Sequence, residues 1–188
     1  MKTKLISIAL ILMLSAPLAI AQSTYNGKTS FAILGGVNLQ NLNGKDIAGN
    51  KLENDMILGF HAGVNMQIPI APEFYFQPGL LFSTKGAKNL TSTYKLSYIE
   101  LPLNFVYKGL LGNGFVMVGF GPYVGYAITK GEEFKPFDAG GNVFAGYELA
   151  GGIFLQLNTQ FGMLNIKDSS DKSSFKNTGF GLSIGYRF

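Results

Sequence analysis

The residues that could do chemistry in this chain are few. Its 188 residues include one histidine, His61, and no cysteine. The lack of cysteine excludes disulfides, thiol nucleophiles, zinc–thiolate sites and a cysteine-linked lipid anchor. As a catalytic base, His61 would need a nearby nucleophile and an orienting carboxylate, yet its neighbours at a spacing of two are Gly59 and Gly63. We therefore interpret His61 as structural and predict no catalytic, cofactor-binding or metal-binding residues.

Two further patterns have ordinary structural interpretations. Glu132 and Glu133 are adjacent carboxylates flanked by two lysines, a mixture typical of a solvated loop rather than of a cation site. The glycine-containing segment 119–121 lies inside an apolar alternating run and does not precede a helix. It therefore does not have the context of a phosphate-binding loop.

The first 21 residues have the pattern of a secretory signal peptide. Lys2 and Lys4 form a positively charged start, an apolar run follows, and Ala19-Ile20-Ala21 supplies the small-residue pattern before a cleavage site. We predict a cleaved signal peptide at residues 1–21 and one β-barrel domain at residues 22–188. The two lysines contribute two charges to the formal net charge of +4. Because no Lys/Arg run follows, nucleic acid is not an expected partner.

After residue 21, apolar residues alternate with polar or small ones at a period of two, which is typical of β-strands. Most of these runs contain about ten residues or more, the length with which a tilted strand crosses a bilayer. Strands of soluble proteins have a mode of about 5–6 residues. The alternation predicts eight strands, at residues 29–40, 56–68, 73–85, 94–107, 115–128, 141–149, 152–165 and 175–188.

The connections between these strands alternate in length. The long ones are residues 41–55, 86–93, 129–140 and 166–174, and the short ones are residues 69–72, 109–113 and 150–151. Outer-membrane barrels have short periplasmic turns and longer extracellular loops. We therefore predict an all-β fold, an eight-stranded antiparallel up-and-down transmembrane β-barrel, in the outer membrane with both termini in the periplasm.

Polar and small residues recur on the strand face opposite the apolar one, which predicts a polar interior. An eight-stranded barrel is filled by side chains, and an unpaired charge in a dry interior costs several kcal/mol. We therefore expect the inward-facing charges to pair with one another. They form either a structural polar plug, which we favour, or a gated proton or ion path. The predicted interior polar network consists of Glu100, Glu148, Arg187, Lys85, Lys108 and His61.

Three segments carry a resemblance to a known family. They read FQPGLLFSTKGAK at residues 76–88, YIELPL at residues 98–103 and GPY at residues 121–123. Together they resemble the PorT-like outer-membrane β-barrel family, with its typical P-x-L-x-[YF]-S-x-K-G, Y-[LI]-E-[IL]-P-L and G-P-Y strands. The resemblance implies an eight-stranded barrel in a Gram-negative cell envelope, and some members are linked to a secretion apparatus. The family pattern supplies no catalytic residue.

We expect a small non-enzymatic outer-membrane protein that acts through its extracellular loops or a partner complex, in secretion or elsewhere in the envelope. Its expected partners are outer-membrane lipid, the barrel-insertion machinery and a protein that the sequence does not identify, and no cofactor is expected. The alternatives are a lipid-modifying outer-membrane enzyme, a narrow channel and a soluble lipocalin-like ligand-binding barrel. A Ser/His or Asp/His pair facing a lateral opening would favour the enzyme, and the alternation shows none.

Overall fold

The computed structural model describes residues 27–45, 49–51, 54–88, 93–129, 131, 134–168 and 173–188. The predicted signal peptide at residues 1–21 and the Glu132-Glu133 pair lie outside the described residues. The strands are β1 (Ser30–Lys45), β2 (Asp55–Ala71), β3 (Phe74–Lys88), β4 (Thr93–Leu111), β5 (Gly114–Thr129), β6 (Phe137–Leu149), β7 (Ile153–Gly162) and β8 (Ser174–Arg187). The described part of the chain contains no helix long and apolar enough to cross a membrane.

The eight strands close into a barrel in chain order. Each strand pairs antiparallel with its sequence neighbour, and β1 pairs with β8 from Ala32↔Arg187 to Lys45↔Ser174. Closure leaves no unpaired sheet edge, which a strand surrounded by lipid requires. The predicted eight-stranded antiparallel up-and-down barrel is confirmed.

Most strands extend beyond their predicted bounds. They contain between 10 and 19 residues, and β1, for example, continues to Lys45 where the alternation predicted an end at residue 40. In β1 the outward residues beyond Leu39 are polar, Asn41, Asn43 and Lys45, whereas Leu42 points inward and is buried. The backbone ladder to β8 nevertheless continues to Lys45. A prediction from hydrophobic alternation therefore ends where the apolar face ends, earlier than the hydrogen-bonded strand.

The two ends of the barrel differ in their connections. We call the end with the four long connections the loop end, and the end with the three short ones the turn end. At the turn end, Pro72 and Glu73 form a two-residue turn, in which Glu73 has a φ of 65°. The backbone N–H of Lys108 donates to the Glu73 carbonyl at 2.8 Å. The N–H of Phe188 donates to the Phe31 carbonyl at 2.9 Å, so both described termini also lie at the turn end.

The outer wall of the barrel is apolar. Large side chains such as Phe120 and Leu157 point outward with 62% and 63% of their surface exposed. Aromatic pairs lie towards both ends, with Phe74 against Tyr107 at the turn end and Tyr126 against Phe137 towards the loop end. An apolar band flanked by aromatic girdles is the pattern of a barrel wall in a membrane.

Three prolines interrupt the backbone ladder in adjacent strands. Pro78, Pro102 and Pro122 lie in β3, β4 and β5, and each coincides with a gap in the pairing to the preceding strand. Proline has no N–H to donate, so one rung is missing at each of the three interfaces. This part of the wall therefore has fewer backbone hydrogen bonds than uninterrupted ladders would have. Contacts inside the barrel contribute correspondingly more to the pairing of these strands.

Candidate functional site

Among the residues that the structure describes, the interior holds two separate groups of charged side chains. Lys85 and Glu100 belong to one near the loop end, which we call the loop-end cluster. Lys108, Glu148 and Arg187 belong to the other, which we call the turn-end cluster. All lie on inward-facing positions of their strands, and His61 lies between the two groups. The charged residues of the predicted network therefore form two separate networks at different depths in the barrel.

The loop-end cluster is built around the Lys85 ammonium group. Its Nζ lies 2.5 Å from Glu100 Oε1 and 3.4 Å from Asp138 Oδ2, and the three side chains are at most 1% exposed. The ammonium also lies 4.6 Å from the centre of the Tyr123 ring and 5.3 Å from that of Tyr98. A desolvated ammonium is thus held by two carboxylates and two aromatic faces, which together offset the loss of water.

Hydrogen bonds extend this cluster around the barrel. The Tyr123 hydroxyl donates to Asp138 Oδ2 at 3.0 Å, and Asn177 Nδ2 donates to the same oxygen at 2.8 Å. Gln160 Nε2 donates to Glu100 Oε2 at 3.0 Å. With Lys85, these side chains come from β3, β4, β5, β6, β7 and β8. One buried polar cluster therefore joins six of the eight strands.

Asp138 is a cluster member that the alternation did not predict. The alternation assigned residues 129–140 to a charged loop, but β6 begins at Phe137. Asp138 is buried, with 1% of its surface exposed, and shares its inward face with Asn142 and Glu148. Extending the two-residue spacing of β6 backwards from Asn142 would have placed Asp138 inside.

The turn-end cluster is built around the Glu148 carboxylate. Lys108 Nζ donates to Glu148 Oε1 at 2.6 Å, and Arg187 Nε donates to Oε2 at 2.9 Å. Arg187 Nη1 also donates to Asn65 Oδ1 at 3.2 Å, and its guanidinium lies 5.5 Å from the centre of the Phe154 ring. The charged side chains here are 6–11% exposed, so this cluster is less completely desolvated than the other.

The two clusters have opposite charge imbalances. The loop-end cluster combines two carboxylates with one ammonium, and the turn-end cluster combines two cations with one carboxylate. A cavity of about 40 Å³, lined largely by Asn and Gln side chains, touches Gln160 of the first cluster and Asn65 of the second. Such a volume has room for about three water molecules at roughly 10–15 Å³ each. The polar interior is thus a packed plug with a small amide-lined cavity.

His61 forms a hydrogen bond that depends on barrel closure. Its Nε2 lies 2.7 Å from the Ser183 hydroxyl oxygen, and both side chains are buried. Gly36 of β1 pairs with His61 on one side and with Ser183 on the other. Because Gly36 has no side chain, the two can meet across it. A Ser/His pair therefore exists, but it lies inside the barrel, and no hydrogen bond in the described part of the chain joins a carboxylate to the ring.

An apolar cap closes the loop end above the charged cluster. Phe134 and Ile166 come from two long connections and are 1% and 0% exposed. They pack with buried side chains of the strands, among them Leu42 and Leu96. Backbone hydrogen bonds fix them in place, including one from the Lys135 N–H to the Ile166 carbonyl at 2.7 Å. The sequence does not predict this cap, because the charged residues of the long connections indicate solvated loops.

A second apolar cluster fills the lumen nearer the turn end. Val106, Met117, Phe144 and Phe154 are each at most 2% exposed and pack together with Ala32. With the cap and the two charged clusters, they occupy the interior along its length.

A closed barrel with an apolar outer wall and paired charges inside defines the class of transmembrane β-barrels. The sequence model of the family described as "Outer membrane protein beta-barrel domain" matches residues 20–187. The chain therefore belongs to this family, and it is a protein of the outer membrane.

Solved structures of outer-membrane proteins share the fold. Neisserial surface protein A superimposes with a TM-score of 0.53 at 12% identity, covering 86% of this chain and 100% of that one. OprG from Pseudomonas aeruginosa superimposes with a TM-score of 0.50 at 11% identity, covering 85% of this chain and 95% of that one. No curated protein sequence matches this chain. These likenesses concern the fold alone.

Proposed function

We propose that this chain is a non-enzymatic, PorT-like outer-membrane barrel that acts from its loop end through contact with another envelope protein, in secretion or a related process. The observation that carries this proposal is the filled interior. Two charged clusters and two apolar clusters occupy the lumen, and the cavity between them is about 40 Å³. A lumen of this kind does not admit a substrate, so a partner would be bound at the outer surface. The cap gives that surface an ordered base at the loop end.

The proposal includes an orientation, with the turn end and both termini in the periplasm. It rests on the sorting of long and short connections. Single cysteines at Asn50 and Lys135, both exposed at the loop end, should react with a membrane-impermeant maleimide on intact cells. Cysteines at Pro72 and Asn113, exposed in the turns, should react only after the cells are opened. Labelling of the turn cysteines on intact cells would reverse the orientation.

The partner can be sought by crosslinking at the two ends. A photoreactive amino acid at Lys135 should give a discrete crosslinked product in native membranes, whereas the same residue at Asn113 should not give that product. Crosslinking only from Asn113 would move the partner surface to the turn end. No product from any exposed loop-end position would contradict a partner-dependent function.

The enzyme alternative makes a different prediction for the Ser/His pair. If Ser183 were a nucleophile activated by His61, a fluorophosphonate probe would label the folded protein at Ser183. We expect no labelling, because the Ser183 side chain lies inside the barrel with 1% of its surface exposed. Covalent labelling that disappears in Ser183→Ala would overturn the non-enzymatic proposal.

The channel alternative is tested by conductance in planar bilayers. The cap residues Phe134 and Ile166 close the lumen at the loop end, so we expect no stable single-channel steps. Reproducible steps that change when Phe134 is replaced by alanine would support a gated path through the interior. The soluble-barrel alternative does not fit a wall whose large apolar side chains point outward.

A further inference from the structure

A groove of about 420 Å³ lies on the barrel wall near the loop end, across β1, β2, β3 and β4. Exposed apolar side chains line it, including Leu58, Phe60 and Val37, and so does Lys95. The β2–β3 ladder has a register shift at this place. The Thr84 hydroxyl bridges the irregularity, since it accepts a hydrogen bond from the Phe60 N–H at 2.8 Å and donates to the Phe60 carbonyl at 3.2 Å.

Lys95 lies above the hydrocarbon-facing part of its strand. The outward face of β4 is apolar or aromatic from Ile99 to Tyr107, a span of about nine residues, which suffices for a tilted strand to cross the bilayer core. Lys95 is four residues beyond Ile99 towards the loop end. At about 3.3 Å per residue and a tilt of about 40°, its Cα lies roughly 10 Å further along the membrane normal. The groove therefore joins the hydrocarbon region to the headgroup region.

Among the described residues, the charge around the top of the groove is positive. Within the described part of the chain, Lys95 forms no ion pair, and it is exposed. Lys88 is exposed on the neighbouring strand, and the pairs Gly86↔Lys95 and Lys88↔Thr93 place it diagonally from Lys95. Asp55 pairs with Lys88. These three side chains have one positive charge in excess. Lys95, which lines the groove, pairs across the β3–β4 ladder with Gly86 and not with a carboxylate.

We propose that this groove binds a phosphorylated lipid of the outer leaflet, with a phosphate on Lys95 and an acyl chain against Val37, Leu58 and Phe60. A flexible lysine stem at the membrane boundary can place its ammonium among lipid phosphates, where charge-assisted hydrogen bonds to the anion form. The apolar lining distinguishes a lipid from free phosphate, because inorganic phosphate makes no use of it. This inference rests on the proposed orientation, which cysteine labelling tests independently of lipid binding.

The test is native mass spectrometry of the purified, folded, full mature chain in detergent, titrated with bisphosphorylated lipid A as the probe. The wild type should retain one lipid A, and Lys95→Gln should reduce the retained fraction at least fivefold. Lys176→Gln is the matched control, because Lys176 is also exposed near the loop end, on β8, and does not line the groove. Ser97→Phe, which adds bulk to the groove lining, should reduce binding while leaving Lys95 in place.

Two ligand controls distinguish a lipid site from a free-anion site. Lipid A without its phosphates should bind at least fivefold more weakly than the bisphosphorylated form, and millimolar inorganic phosphate should not displace the lipid. Displacement by inorganic phosphate would show a free-anion site instead. Equal retention by Lys95→Gln and the wild type, or an equal loss in Lys176→Gln, would overturn the proposal. The heat-dependent gel shift of each variant confirms that the barrel is folded, so a loss of binding is not a loss of structure.

Discussion

Replacing Lys85 by methionine is the sharpest test of the interior. Methionine keeps much of the length and bulk of lysine but removes the ammonium that lies 2.5 Å from Glu100 and 3.4 Å from Asp138. Both carboxylates would then be left in a place where they are at most 1% exposed. Removing one partner of a buried ion pair costs about 3–5 kcal/mol. Because two carboxylates lose the same partner, we expect the free energy of unfolding to fall by about 5 kcal/mol, the upper end of this range.

Lys108→Met is the matched comparison at the turn end. There the Glu148 carboxylate keeps its second partner, since Arg187 Nε remains 2.9 Å away. The loss is then one hydrogen bond between charged groups, worth about 1.5–3 kcal/mol, and the 11% exposure of the Lys108 side chain reduces it further. We therefore expect Lys85→Met to be the more destabilising variant by about 2–4 kcal/mol.

Urea unfolding in lipid vesicles, followed by tyrosine fluorescence and by the gel shift, measures both variants under the same conditions. The triple variant Lys85→Met, Glu100→Gln, Asp138→Asn removes the stranded charges and should recover most of the lost stability, because neutral replacements of buried ion pairs are often tolerated. If Lys85→Met and Lys108→Met lower the free energy of unfolding equally, the expectation that the more completely buried lysine contributes more stability is wrong. A triple variant as unstable as the single one would show that packing, not charge, determines the effect.

Three other predictions concern the wall, the cap and the strand interface at β1. Gly36→Ala should prevent formation of the heat-modifiable folded form, because a Cβ there would collide with the Leu182 carbonyl oxygen, whereas Gly151→Ala, with open space around it, should fold normally. Phe120→Arg should cost about 2–4 kcal/mol near the bilayer midplane, and Asn158→Leu on the inner face clearly less; equal urea midpoints would contradict the assigned faces. Phe134→Ala in the cap should lower the free energy of unfolding by about 3–5 kcal/mol, while Phe137→Ala, at a side chain 60% exposed, should change it much less. Similar losses for Phe134 and Phe137 would show that the cap does not contribute to stability.

The fold was predictable because a membrane barrel repeats one pattern in every strand. Alternation with a period of two predicts both the strand and its faces, and the order of long and short connections predicts the pairing of neighbours. The last strand illustrates this, since Phe180, Leu182 and Ile184 all lie outward with 41–61% of their surface exposed. Closure adds only the β1–β8 pairing. Lipid requires this pairing, because an open sheet edge would leave backbone N–H and C=O groups without hydrogen-bond partners.

Contacts between distant strands were not predictable in the same way. The hydrogen bond between His61 and Ser183 joins β2 to β8 across Gly36, so it depends on the register at two interfaces. Alternation places both side chains inside but does not give their relative height. The cap was missed for another reason, because Phe134 and Ile166 lie outside any alternating run and the charges around them indicate a solvated loop.

Alternation does not predict the register between neighbouring strands. The loop-end cluster determines this register. A slip of one residue between two strands would turn every apolar side chain inward, but a slip of two preserves both faces and moves facing side chains by about 7 Å. Such a slip at the β3–β4 interface, where Pro102 already interrupts the ladder, would separate Lys85 from Glu100. The three segments that carry the PorT-like resemblance contribute Lys85, Tyr98 with Glu100, and Tyr123 to this one cluster. Their residues therefore have a structural role: they stabilise the register of β3, β4 and β5, whose backbone ladders are interrupted at the prolines.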